Sequence, residues 1–142
     1  MSLSFLNINR LEDYHRDPRL QSVFCSRLLW RDHGEYMVFV PSGLPFDMDQ
    51  YAAGGWILSF NERFVQNFLS RYPQDYNNAL LVDKSQDQVF VPMNAKLRSE
   101  MNELAEFLRK ALTEGQSELF TQIHTDLILL NANQTHVGMY SK

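Results

Sequence analysis

The sequence predicts an α+β fold in which short strands come first and a pair of helices follows. Up to residue 93, short apolar runs are broken by glycine, proline and polar turn residues, a pattern typical of strands joined by tight connections. From Asn94 onward the apolar residues recur at helical spacing instead. Strands that precede a helical pair in this order favour an α+β arrangement over alternating β-α units.

The first predicted strands form a hairpin. The apolar runs from Ser22 to Arg31 and from Glu35 to Pro41 flank Asp32-His33-Gly34, three residues suited to a turn. Gly43 and Pro45 then interrupt the chain, so the next strand begins after a loop.

A third strand and a short helix are predicted next. The strand runs from Gly55 to Phe60, and Asn61 is a favourable N-cap for a helix that ends at Tyr72-Pro73. Alternation along the strand divides its side chains between the two faces of a sheet. One face takes Trp56, Leu58 and Phe60, and the other takes Ile57 and Ser59.

Two more strands are predicted before the helical pair. They cover Ala79 to Val82 and Gln88 to Pro92, and the polar residues Asp83 to Asp87 form the turn between them.

Two amphipathic helices are predicted between Asn94 and Leu130. Gly115 suits the end of the first helix, and Ser117 can cap the second, so the short connection favours an antiparallel hairpin. The apolar positions are Leu97, Met101, Leu104, Leu108 and Ala111 in the first helix and Leu119, Phe120, Ile123, Leu127 and Leu130 in the second. The sequence therefore predicts a β domain over residues 1–93 and a helical hairpin over residues 94–142, packed together as one unit.

Charge and composition argue against several classes of function. The chain has 142 residues, which fit one domain, and its 13 Lys and Arg against 17 Asp and Glu give a formal net charge of −4. An acidic domain is poorly suited to neutralising nucleic-acid phosphates. No secretion signal or membrane-spanning run is visible, and Cys25 lies alone in an apolar stretch. We expect a soluble, cytoplasmic domain that does not contact a membrane.

No catalytic or metal-binding motif is visible. His15, His33, His124 and His136 lack the spacing that brings two imidazoles onto one ion. The acidic residues of the Asp47-Met48-Asp49 segment lack the remaining oxygen ligands of a cation loop. Nucleophile elbows and phosphate-binding loops are missing as well. The sequence predicts no catalytic residue, no metal and no cofactor, and thus not an enzyme.

The stretch from Met37 to Phe64 carries a more specific pattern. A strand ends in Pro-x-Gly, a loop follows, and a Gly-led strand ends in Phe and enters a helix with a second Phe four residues later. The residues that carry it are Pro41, Gly43, Phe46, Gly55, Phe60 and Phe64. Together with the helical pair, this pattern resembles the amino-terminal cupin-like sensor domain of AraC-family transcriptional regulators over residues 20–132. Metal-binding cupins have a histidine where this chain has Phe46.

The resemblance implies a fold and a function. The fold would be a cupin-like antiparallel β-sandwich or barrel, complete or shortened, followed by a carboxyl-terminal antiparallel helical hairpin. The function would be effector sensing and dimerisation in a regulator whose DNA-binding helix-turn-helix half is missing, so that DNA is bound only through that missing domain. The expected partners are a second copy of the chain and a small-molecule effector. The alternatives are a stand-alone, metal-free cupin-like enzyme or small-molecule binding protein, and a plain interaction module without a ligand.

Two groups of residues are candidates for these roles. The aromatic side chains of a β-sandwich either enclose a small organic ligand or fill a closed core. The candidates for that site are Trp30, Tyr36, Phe46 and Trp56. The apolar stripe of the first helix either forms a dimer interface or packs on its own sheet. That stripe consists of Leu97, Met101, Leu104 and Leu108.

The hairpin itself is not a plausible DNA-reading element. Residues 117–127 contain no Lys or Arg, and Glu118 and Asp126 would repel the phosphate backbone.

Overall fold

The computed structural model describes residues 5–22, 24–82 and 87–140, and they form one antiparallel sheet with helices on its two faces. The five strands are β1 (Leu6–Arg10), β2 (Ser26–Arg31), β3 (Tyr36–Val40), β4 (Gly55–Phe60) and β5 (Val89–Pro92). The helices are α1 (Leu11–Arg16), α2 (Glu62–Arg71), α3 (Asp75–Asn78), α4 (Ala95–Thr113) and α5 (Glu118–Tyr140). The strand order is β1-β4-β2-β3-β5, and every neighbouring pair is antiparallel.

The predicted α+β class is confirmed, but the sheet does not close on itself. In the described residues β1 and β5 are its two edges, and each pairs with a strand on one side only. A closed barrel needs these edges to meet. The predicted barrel is therefore not found here, because helices and a loop cover the faces of the sheet instead of a second sheet.

The predicted β2–β3 hairpin, β4, β5 and helix α2 are confirmed. The Asn61 side chain caps α2 by accepting a hydrogen bond from the Phe64 amide at 3.0 Å, and it also accepts one from the Phe5 amide at 2.9 Å. The helical pair is confirmed too, with Asn94 capping α4 and Gly115 in a left-handed conformation at φ 69° just beyond its end. Helix α5 is longer than predicted and continues to Tyr140.

The strand predicted from Ala79 to Val82 is wrong. These residues form turns that continue from α3, and the Leu80 amide donates to the Asn133 side chain of α5 at 2.8 Å. Leu80 is buried beneath α5, so this apolar run packs against a helix and does not extend the sheet. Of the turn predicted beyond it, residues 83–86 lie outside the described part of the chain.

The first face of the sheet packs against α2, α4 and α5. Trp56, Leu58 and Phe60 of β4 lie on this face, as the alternation predicts, together with Trp30 of β2. The helices contribute Phe64, Phe68, Met101, Ala105, Leu108, Ile128, Leu129 and Ala132. Most of the apolar burial of the chain is therefore found between this face and the three helices.

The second face has a thinner cover. Its buried apolar side chains are Leu11, Tyr14, Leu29, Val38, Val40 and Ile57. Helix α1 and the connection between β3 and β4 lie over them, and that connection contributes Leu44, Phe46 and Tyr51 as partly buried neighbours. Neither β1 nor α1 was predicted, and α1 contributes Leu11 and Tyr14 to this side.

An ion pair joins β1 to the β2–β3 turn. The Arg10 guanidinium donates to both oxygens of Asp32 at 2.8 and 2.6 Å, and it lies 4.8 Å from the ring centre of Trp56. Hydrogen bonding from Arg10 is the main cause that lowers the pKa of Asp32 below its usual value.

The central strands approach each other closely at Gly55. A side-chain carbon added there would lie 2.1 Å from the Trp30 carbonyl oxygen and 2.7 Å from the Arg31 Cα. We predict that Gly55→Ala lowers the free energy of unfolding by about 3 kcal/mol or more, because both obstructing atoms belong to a buried strand. Urea denaturation measures this loss. The control is Gly138→Ala on α5, where nothing lies within 4 Å of the new carbon and stability should rise by up to about 1 kcal/mol.

The Arg10–Asp32 pair should make the free energy of unfolding depend on pH in the acidic range. Since the pKa of Asp32 is lowered in the folded state, its contribution is present above the unfolded-state pKa of about 4 and disappears as the pH falls through the lower folded-state value. We predict that Asp32→Asn costs about 1–3 kcal/mol at neutral pH. The difference between variant and parent should shrink below about pH 4. A constant difference down to strong acid would contradict this account.

Candidate functional site

The helical hairpin carries an exposed apolar surface, which we call the hairpin surface. It consists of Phe107 on α4 and Leu119, Phe120, Ile123 and Leu127 on α5, each between 40% and 65% exposed. Helix α5 also buries Ile128, Leu129 and Ala132 completely on its other side. A helix that is apolar on both sides is typical of one covered on both sides. Contiguous exposed apolar residues of this kind mark interaction sites.

A groove runs along the hairpin surface between α4 and α5. It has a volume of about 420 Å³ and is lined by Leu104, Phe107, His124 and Leu127, with Glu100, Glu103 and Asn131 as its polar lining. The His124 ring lies 4.4 Å from the ring of Phe120 and 5.8 Å from that of Phe107, measured between ring centres. Its Nδ1 atom lies 2.9 Å from the Phe120 carbonyl oxygen. His124 thus connects the groove, which it lines with Phe107, to the neighbouring ring of Phe120.

Charges of opposite sign flank the hairpin surface on α4. Glu103 lies about one turn before Phe107, and Lys110 lies about one turn after it. Both are exposed, and neither forms an ion pair within the described part of the chain.

The structure divides the four predicted interface residues between two environments. Met101 and Leu108 are fully buried in the core beneath α4, so these two pack on the chain's own sheet. Leu97 and Leu104 are partly buried at the border of that core, and Leu104 also lines the groove. The reason is helical geometry. Positions 101, 105 and 108 share the side of α4 that faces the sheet, whereas positions 104 and 107 lie further round the helix, away from that side.

The four predicted ligand-binding aromatics do not lie together. Trp30 and Trp56 are neighbours across β2 and β4 on the first face, and both are fully buried. The Trp30 indole donates to the Asn102 side chain at 2.9 Å, which fixes the ring in the core. Phe46 lies against the second face, 5.5 Å from Tyr51 between ring centres. Tyr36 is 53% exposed at the margin of the sheet, where it meets Phe90 edge to face.

A buried polar cluster on the second face was not predicted. Arg27 of β2 and Ser59 of β4 face each other in the sheet register, and each is 4% exposed. The Arg27 Nη2 atom donates to the Leu44 carbonyl oxygen. Neither Arg27 Nε nor Ser59 Oγ has a hydrogen-bond partner among the described residues. Alternation along β2 places Arg27 on the same face as Leu29, which is the sequence signal that could have found it.

Burial and the charge of Arg27 act in opposite directions on the pKa values of two neighbouring groups. Burial raises the pKa of the Tyr14 hydroxyl, and the nearby charge of Arg27 partly opposes that rise. Burial likewise raises the pKa of the Cys25 thiol, which Ser22 and Arg27 partly offset. Both groups therefore remain protonated near neutral pH, and Cys25 is not an activated nucleophile.

The histidines and acidic residues do not gather into a metal centre. Among the described residues, no three His, Cys, Asp or Glu side chains lie close enough to hold an ion. His15 Nε2 lies 3.7 Å from an Asp49 carboxylate oxygen, at an exposed position. None of the helices in the described part of the chain is long and apolar enough to cross a lipid bilayer.

Comparisons of the chain with protein-family models, with curated proteins and with solved structures found no match. The resemblance to AraC-family sensor domains consequently rests on the order and spacing of the motifs in the sequence.

Two neighbouring residues of α4 should respond very unequally to truncation. Leu108 is fully buried and Phe107 is 47% exposed. We predict that Leu108→Ala lowers the free energy of unfolding by about 2–5 kcal/mol. In dilute protein, Phe107→Ala should change it by only about 0.5 kcal/mol. Chemical denaturation of both variants measures the contrast, and similar losses would show that Phe107 also belongs to the core.

Proposed function

We propose that this chain is the dimerisation and regulatory domain of an AraC-type transcriptional regulator, and that it acts through the hairpin surface without catalysing a reaction. The observation that carries the proposal is the row of exposed apolar side chains on α4 and α5, on a hairpin whose other side is already filled by the core. The family assignment draws its support from the sequence pattern around Pro41, Gly43, Gly55 and Phe60. In this proposal the sheet is a shortened, opened form of the cupin barrel.

A second copy of the chain is the partner that fits the hairpin surface. A two-fold axis near Phe107 would bring two α4 helices together in antiparallel orientation. Glu103 of each copy would then face Lys110 of the other, because the two residues lie about equally far from Phe107 on opposite sides. The same surface is thus complementary to itself in both apolar content and charge.

In this proposal, DNA binding is the task of another domain of the parent regulator. The hairpin surface is apolar, and residues 117–127 of α5 carry no Lys or Arg, so in this proposal DNA would be contacted by a helix-turn-helix domain outside this chain. Such a regulator would work in the cytoplasm. A small-molecule effector remains part of the proposal, but Trp30 and Trp56 are fully buried within the core beneath the helices. The geometry therefore favours dimerisation as the main task.

Sedimentation equilibrium tests the proposed dimer. We expect the parent chain to dimerise and Phe107→Asp to weaken the dimer by about 30-fold or more, as for a central apolar contact. Phe90→Asp is the matched control, since Phe90 is 45% exposed and its side chain lies beside Phe46 on the side of the sheet opposite the helices. Its dimer should be unchanged. A parent chain that stays monomeric at the highest attainable concentration would refute the proposal.

A charge exchange tests the antiparallel arrangement separately. Glu103→Lys and Lys110→Glu should each weaken the dimer several-fold, because each creates two like-charge contacts related by the two-fold axis. The double variant Glu103→Lys/Lys110→Glu should regain most of the lost affinity. A double variant that is weaker than both single variants would rule out this orientation of the helices.

A further inference from the structure

We propose that Arg27, with Ser59 and Tyr14 beside it, binds the carboxylate of a small apolar acid on the second face of the sheet. This face lies opposite the one that packs against α4 and α5, so the site does not depend on dimerisation.

The first argument is a buried charge without a counter-charge. Arginine remains protonated in proteins, and Arg27 is 4% exposed. Among the described residues it forms no ion pair, in contrast to Arg10 and Arg71, which bind Asp32 and Asp126. A buried cation is strongly disfavoured unless an anion or a full set of acceptors surrounds it. The fold therefore retains a cation at a position that an incoming anion would stabilise.

The second argument is the geometry of the guanidinium. Nε–H and Nη2–H form one edge of the group and point in the same direction, so that they match the two oxygens of a carboxylate. Here Nη2 donates to the single carbonyl oxygen of Leu44, and Nε donates to nothing in the described residues. One neutral acceptor thus lies where a carboxylate would offer two charged ones.

The third argument concerns the neighbours of Arg27. The Ser59 hydroxyl lies opposite Arg27 in the register and is itself buried without a hydrogen-bond partner in the described residues. The Tyr14 hydroxyl is close enough to Arg27 for that charge to affect its pKa. Both are hydroxyl donors that can complete the coordination of a carboxylate. Leu44 and the apolar cluster of the second face surround them, which favours an acid with an apolar body over a hydrophilic anion.

The connection between β3 and β4 offers a way in. Leu44 belongs to it, and the carboxylate would take the place of the Leu44 carbonyl at Nη2. Gly43 and Gly54 lie near its two ends with φ values of 90° and 77°, in open space. Glycine tolerates large backbone changes, so these two residues are the points at which the connection would bend to turn the Leu44 carbonyl outward.

The test is a thermal-shift and calorimetric titration of the full chain with three monocarboxylate probes: benzoate, phenylacetate and hexanoate. We expect at least one of them to raise Tm in a saturable manner. Benzamide, the neutral counterpart of benzoate, should have no effect, and inorganic phosphate should have less effect than the best acid. No response to any of the three acids overturns the proposal. An equal response to phosphate overturns it as well, since that would be a general effect of salt.

Variants separate ligand binding from a purely structural role of Arg27. Arg27→Met keeps an unbranched apolar stem but removes the guanidinium and its charge, so binding of the best acid should weaken by about tenfold or more. The unliganded variant should be as stable as the parent or more stable, because a buried unpaired cation is removed. A large loss of stability with unchanged binding would show that Arg27 only holds Leu44.

Two further variants keep the test decisive if Arg27→Met does not fold. Ser59→Ala removes one predicted donor and should weaken binding several-fold. Arg16→Met, on an exposed side chain of α1, is the control and should bind the acid as the parent does. Equal binding by Ser59→Ala and Arg16→Met would overturn the assignment of the site.

Discussion

The burial of β2 and β4 on both faces is the constraint on which the remaining structure depends. Every residue of β4 and nearly every residue of β2 is buried, so neither strand can present a side to water. Helices α2, α4 and α5 cover one face, while α1 and the β3–β4 connection cover the other. A single antiparallel sheet usually leaves one face solvated. Here two separate layers are needed to cover the sheet. Each layer also carries one of the two candidate sites.

The two covering layers differ in a way that separates the proposed roles. The helical layer is thick, and α5 has more apolar surface than the core can bury. The thinner layer leaves a charged side chain, Arg27, beneath a loop whose contact with it is a single neutral carbonyl. Excess apolar surface favours a partner protein, whereas an uncompensated buried charge favours a small anion. The same sheet thereby positions two candidate sites on opposite sides.

Local signals in the sequence predicted the elements that local physics determines. The Asn61 and Asn94 caps and the alternation in β4 depend on residues close together in the chain, and the structure agrees with them. Strand β1 pairs with β4, about fifty residues away, and its own sequence signal, the alternation from Leu6 to Asn9, is very short. The strand predicted at Ala79 failed for the same reason, since the contact of Leu80 with Asn133 decides its conformation.

The candidate sites were harder to predict than the fold, because each requires knowing which face a side chain occupies. Met101 and Leu104 are both apolar residues of one helix, yet only Met101 is wholly buried. Trp30 and Phe46 suit the same chamber by chemistry, but Trp30 faces the helices from β2, whereas Phe46 belongs to the connection that covers the other face. Alternation along β2 places Arg27 on a buried face, but its contact with Leu44, 17 residues further along the chain, depends on the path of the loop.

The placement of the tryptophans also determines what spectroscopy can detect in this protein. Trp30 and Trp56 are the two tryptophans of the sequence, and they are neighbours in the layer beneath the helices. Their indole fluorescence will report a change in how the helices pack on the sheet, through polarity and through the guanidinium groups of Arg10 and Arg109 near the Trp56 ring. Neither ring faces the opposite side. An event confined to that side will leave the emission spectrum nearly unchanged, so tryptophan emission follows the helical side of the sheet alone.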